Sequence, residues 1–174
     1  LVNGPYRAFA GWPDWPGVTL IRAEGREFVR NHSQRFDTLM MSGVDTFAAL
    51  NSGAYVLSEN YLYTVEAIGD YLDAVKDDGV VAIYRWFFHQ QPRESLRLAN
   101  LVASALEARG VSDARAHLMV IGEGDWAATL FRKTPFTSAE VRTALDIVAS
   151  TPELAMVHVP RVFSSQEQEA VEAQ

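Results

Sequence analysis

Three short clusters in this chain carry residue types that could do chemistry, and each follows an apolar run. They are Ala23-Glu24-Gly25-Arg26, Ser42-Gly43-Val44-Asp45-Thr46 and Arg85-Trp86-Phe87-Phe88. A carboxylate such as Glu24 or Asp45 just past a strand can hold a ribose hydroxyl, an exocyclic amine or a cationic substrate. It can equally do no more than cap a short helix or turn. The aromatic run either walls a pocket or supplies core plus one exposed Arg85. Other chemistries find less support. His32, His89, His117 and His158 are scattered without ligand spacing, so no metal site is expected. Cysteine is absent, which removes thiolate ligands and cysteine nucleophiles. No Gly-x-Ser-x-Gly elbow surrounds Ser42, which argues against a hydrolase nucleophile. Gly122-x-Gly124 sits in a hairpin turn rather than between strand and helix, so it makes a poor nucleoside loop.

The elements that must present these clusters are read from periodicity and punctuation. Gly4-Pro5, Trp12-Pro13 and Trp15-Pro16-Gly17 mark an opening loop. Residues 18–21 read as a short buried strand and residues 27–30 as a short helix. Residues 36–41 read as a second strand, apolar on both faces from Thr38 onward, which implies helices on each side of the sheet. Residues 42–58 are rich in Gly, Ala, Ser and Asn without a period, and a loop of that length is usually functional. Ser58 is placed to cap a helix whose inward face is Leu62, Val65, Ile68, Leu72 and Val75. Asp77-Asp78-Gly79 reads as its end, and residues 80–84 as a third buried strand.

A second long helix spans residues 93–109, closed by Gly110. Residues 116–121 and 126–132 form a hairpin pair. Thr137 and Glu140 make a capping box, with Phe136 and Val141 as a hydrophobic staple, for a helix ending near Ala149. Residues 156–159 read as a last strand, and the Gln/Glu-rich tail after Phe163 as frayed. The pattern implies one α/β domain over residues 1–163 and a tail over 164–174. Its sheet is expected to be mainly parallel with an antiparallel edge.

Composition sets the outer limits. The 174 residues are 48% hydrophobic and 21% charged, the balance of a soluble domain with a core. A net charge of −7 argues against nucleic acid, which needs a basic stripe, and against anionic lipid. It suits a cationic substrate. No apolar run approaches the ~18 residues of a membrane span. Nor is there a signal-peptide pattern, so a cytoplasmic location is expected.

Phe36-Asp37-Thr38-Leu39-Met40-Met41-Ser42-Gly43-Val44-Asp45 resembles the fourth-strand segment of spermidine synthases, the polyamine aminopropyltransferases. Glu24-Gly25-Arg26-Glu27-Phe28-Val29 before it, and Leu57-Ser58-Glu59-Asn60-Tyr61-Leu62-Tyr63 after it, continue the resemblance. The stretch Gly53-Ala54-Tyr55-Val56 through Glu66 is similar to bacterial spermidine synthase-like proteins, as is Thr129-Leu130-Phe131-Arg132-Lys133-Thr134-Pro135. In that subgroup the domain often follows membrane-spanning segments, so an upstream tether is compatible with the resemblance. The resemblance covers roughly residues 1–160.

It implies a class I S-adenosylmethionine-dependent methyltransferase-like fold, Rossmann-like, with an antiparallel hairpin edge. Residues 18–21 would be its third strand and 36–41 its fourth. The family's glycine-rich loop and acidic ribose ligand, which follow its first two strands, have no counterpart in this sequence. With Leu1-Val2-Asn3-Gly4 as its opening, the chain is expected to be the C-terminal portion of a longer protein. It would have an exposed apolar seam and a missing N-terminal half as its partner, with a homodimer as one compatible assembly.

Carried over residue by residue, Glu24 and Gly25 match an acidic-glycine pair that contacts adenine, where aspartate is usual. Asp45 matches the second aspartate of the D-S-S/T-D-P motif, which helps to bind the amine, and Thr46 replaces the proline. Ser42 occupies the position of the first aspartate, the base that deprotonates the amine. Tyr63 matches a substrate-side aromatic beyond a covering loop, here residues 46–57. The co-substrate implied is decarboxylated S-adenosylmethionine, with a small-molecule amine as acceptor. Loss of the aspartate leaves S-adenosylmethionine-dependent methyl transfer, or non-catalytic nucleoside or polyamine binding, as alternatives. The chain alone is expected to be inactive.

Overall fold

The structure, a computed structural model, describes residues 15–42 and 60–173. Helix α1 (Gly25–Asn31) leads to strand β1 (Phe36–Ser42), and helix α2 (Val65–Ala74) runs directly into β2 (Val75–Trp86). Helix α3 (Arg93–Glu107) precedes the hairpin of β3 (Leu118–Glu123) and β4 (Trp126–Phe131). Helix α4 (Ser138–Ser150), strand β5 (Leu154–His158) and helix α5 (Ser165–Glu172) complete the order. The fold is α/β, with five strands and five helices among the described residues. None of those helices is long and apolar enough to cross a membrane.

The strands lie in the order β1-β2-β4-β3-β5. Only β1 and β2 are parallel; the other three pairings are antiparallel. The sheet is thus less parallel than strand–helix alternation suggests, because the hairpin inserts β4 between β2 and β3 and reverses direction on both sides. Helices α1, α2 and α3 cover one face. There Ile68, Leu72, Val81, Ile83, Leu98, Val102, Leu106 and Phe131 are almost wholly buried. At about 1.5–3 kcal/mol per fully buried large apolar side chain, this cluster dominates the favourable side of folding. A smaller core beneath α4 and α5 joins Met119, Phe136, Val141 and Val159. That second layer stops short of β1, where Met40 is 71% exposed. Among the described residues no helix covers that face of β1, contrary to the expectation of helices on both faces.

Local differences from the sequence reading have physical causes. Residues 18–21 form no strand, and Val18, Leu20 and Ile21 are exposed; a four-residue apolar run needs a ladder partner to become one. Thr64, not Ser58, caps α2, accepting from the Ala67 amide at 3.1 Å; Ser58 lies outside the described residues. Asp77-Asp78-Gly79 is no turn after a helix but a bulge within β2. The pairing jumps from Phe36 with Val75 to Thr38 with Val80. A Cβ on Gly79 would meet Lys76 N and Phe36 O at 2.9 Å, so the bulge requires glycine. The tail expected to fray is helix α5, started by a Ser164–Glu167 capping box and burying Gln168. The Thr137–Glu140 capping box of α4 forms as read, and Gly110 takes its expected positive φ of 85°.

Candidate functional site

The rim at the carboxyl ends of the parallel strands is the natural place for a ligand in such a sheet. β1 ends at Ser42, whose register partner on β2 is Tyr84. Because α2 feeds straight into the start of β2, its amino end returns to this same rim. It brings Tyr61, Tyr63 and Thr64 there.

Glu24 is the N-cap of α1. Its carboxylate accepts from the Arg26 amide at 3.0 Å and the Glu27 amide at 2.8 Å. The Tyr61 hydroxyl donates to the same carboxylate at 2.7 Å. That hydroxyl chiefly, with the helix amides, holds the Glu24 carboxyl below its ordinary range, and the bond raises the Tyr61 phenol in turn. Gly25 is the first residue of α1. The pair is locked onto α2: Arg26 donates to Asp70 at 2.8 Å and to the Tyr61 carbonyl at 2.7 Å. A carboxylate offers about four lone-pair sites. In Glu24 three are filled by the Arg26 and Glu27 amides and the Tyr61 hydroxyl.

Tyr63 is buried, 7% exposed, with the Arg85 guanidinium 4.1 Å from its ring centre. Arg85 also reaches Glu94 at 3.0 Å and is only 14% exposed itself. In the aromatic run, then, Phe87 joins the core as read, but Arg85 is largely buried rather than exposed. Strand alternation is the reason: Val81, Ile83 and Arg85 share the face under the helices, while Tyr84 and Trp86 share the other.

On that open face Trp126 of β4 stacks on Trp86, with centroids 4.0 Å apart, and on Tyr84 at 5.5 Å. The Tyr84 hydroxyl donates to Glu123 at 2.8 Å, and burial chiefly raises its phenol above the ordinary value. The loop after β2 is tied to the hairpin turn by Phe87 N donating to Asp125 O and by His89 against Gly124 O. Asp45, Thr46 and the covering loop lie outside the described residues, so the structure brings together Glu24, Gly25, Ser42 and Tyr63 only as neighbours on one rim. Tyr61, Glu123 and Trp126 were missed by the sequence reading, whereas Tyr84 belongs to the aromatic run that it offered as a pocket wall. The alternating aromatics of β2 facing Trp126 were the available signal. Among the described residues no three His, Asp or Glu side chains group as a metal site would need.

No family model and no curated protein matches the chain. Among the solved structures similar to it are two of spermidine synthases. One is a spermidine synthase from Thermotoga maritima, 16% identical, with a TM-score of 0.49. It is matched over 95% of this chain and 50% of that one. The other is a spermidine synthase in complex with the transition-state analogue AdoDATO, 15% identical, with a TM-score of 0.47. Its coverage is 95% of this chain and 49% of that one. The chain therefore spans about half the length of the structures it matches.

Proposed function

We propose that this chain is part of a spermidine synthase-like transferase that moves an aminopropyl group from decarboxylated S-adenosylmethionine to a small amine. The observation that carries the reading is the pair of tyrosine-held carboxylates, Glu24 and Glu123, at the carboxyl-end rim of β1 and β2. Such a rim attracts a cationic substrate. Glu24, with Gly25, receives the nucleoside. Asp45 orients the amine, and Tyr63, fixed under Arg85, backs the rim.

In the reaction the acceptor nitrogen must first lose a proton, because an ammonium near pKa ~10 has no lone pair to give. The nitrogen then attacks the carbon beside the sulfonium. The carbon–sulfur bond breaks toward sulfur and a neutral thioether leaves. Ser42 stands where the family places the base, and its hydroxyl cannot serve without help. Asp45 is the residue available for that task. The glycine-rich nucleoside loop must come from outside these 174 residues, so the chain by itself is inactive. Ser42 favours the second reading, methyl transfer from S-adenosylmethionine to a small acceptor. There a weaker base suffices for a less basic nucleophile.

Titration calorimetry on the full-length protein separates them. Preference for the decarboxylated nucleoside, strengthened by putrescine and weakened by Asp45→Ala, supports aminopropyl transfer. Preference for S-adenosylmethionine moves the assignment to methyl transfer, and binding of neither rejects both in favour of a non-catalytic domain.

A further inference from the structure

At the opposite edge of the sheet from β1, two cavities meet beneath helix α5. One, about 600 Å³, is lined mainly by apolar side chains of α4, β5 and α5, among them Leu145, Val148, Met156 and Val171. The other, about 330 Å³, is polar and takes in Arg115, Arg161, Ser165, Gln168 and Glu169. They share His158, Val159 and Glu172, so an apolar trough opens into a polar end. Both volumes fall in the range of small-ligand sites.

Two polar atoms that line the polar end are buried without a partner: His158 Nε2 and Gln168 Oε1. Gln168 is only 5% exposed, and its other amide atom is committed, donating to Glu172 at 2.7 Å. With its proton on Nδ1, the tautomer that a backbone bond to Arg115 favours, the His158 ring presents Nε2 as an acceptor. Both orphans therefore accept, and a buried acceptor left unsatisfied is costly.

The surrounding charge agrees in sign. Arg115 is tied up by Asp113, through Nε at 2.8 Å and Nη2 at 2.9 Å. Arg161 remains, against Glu169 and Glu172. An anionic head would face two acceptors and two carboxylates; a head that donates and carries positive charge meets what it needs.

We infer that this cleft binds a primary alkylammonium, its chain in the trough of Leu145, Val148, Met156 and Val171 and its head on His158 Nε2, Gln168 Oε1 and the Glu172 carboxylate. The site is separate from the strand-end rim and independent of the reaction assigned there.

The test is calorimetric titration of the whole chain near neutral pH with octylamine and with octanoate, which share a tail and differ in the head. Octylamine should bind saturably, one per chain, with octanoate at least about tenfold weaker. Gln168→Leu, close in shape and unable to accept, should weaken octylamine about tenfold. Ala149→Trp, an exposed position on the trough wall that folding does not depend on, should block it. Equal binding of the two probes, or unchanged octylamine binding in both variants, would overturn the inference and leave ordered water as the occupant of the polar end.

Discussion

Arg85 and Tyr63 form a stacked pair at the inner side of the rim, guanidinium 4.1 Å from ring centre. Arg85 is largely buried, whereas its ion-pair partner Glu94 is 42% exposed. The ring contact should therefore outweigh the ion pair, which water screens. Arg85→Met is expected to cost about 1–2 kcal/mol and Glu94→Gln less than about 0.5 kcal/mol, read from urea midpoints. Equal losses would shift the weight to the ion pair.

The Glu24–Tyr61 bond contributes to both limbs of the pH–stability curve. The Glu24 carboxyl lies below its ordinary 4.5 when folded, so its contribution is present above that pH and is lost as pH falls through the folded value. Tyr61 lies above 10.0 when folded, so its contribution is present below that pH and lost as pH rises through the folded value. Tyr61→Phe should raise the Glu24 titration toward 4.5 and flatten both limbs. Side-chain NMR of Glu24 reads the first effect. An unmoved titration would assign the shift to the α1 amides alone.

Glu140 serves two neighbours at once. One oxygen accepts from the buried Arg132 at 2.8 Å, and the other from the Thr137 amide at 2.7 Å. Thr137→Ala removes only the cap and should cost about 1 kcal/mol. Glu140→Ala also takes the only anionic partner, among the described residues, of a buried guanidinium, which keeps its bonds to Thr134, and should cost about 2 kcal/mol, discounted because Glu140 is half in water. Thermal unfolding that ranks Thr137→Ala as the worse variant would contradict this.

Ser42→Asp tests the chemistry most directly. In the full-length protein it should create or raise aminopropyl transfer to putrescine, seen as a new product by mass spectrometry. No gain, with nucleoside binding intact, would favour methyl transfer or a binding role.

What was legible in the sequence was local. The α4 capping box, the hairpin and the Gly110 stop depend on residues a few positions apart, and all three form. The α5 start was equally local: Ser164-Ser165-Gln166-Glu167 carries the same box, masked by a polar composition that suggested fraying. The rest depends on partners far away in the chain. Residues 18–21 have strand composition, but composition does not supply a ladder. Asp77-Asp78-Gly79 has turn composition, but α2 ends before it and β1 pairs on either side of it. At the rim, a strand end located Ser42, whereas Glu24 caps a helix and follows no strand; the Glu24–Tyr61 and Tyr84–Glu123 bonds link residues too distant for spacing to reveal.

Strand β4 follows β2 and β3 in the chain yet lies between them, and that fixes an order of assembly. The β3–β4 hairpin closes through a short turn and can form within microseconds. It must exist before β3 has any place in the sheet, since β3 touches β2 only through β4. Parallel pairing of β1 with β2 closes a much longer stretch of chain and comes later. Its outer edge has no strand against it among the described residues, as is true of β5 at the other end of the sheet. The hairpin is the keel of this domain, and the rim proposed for chemistry depends on the longer-range pairings added to it.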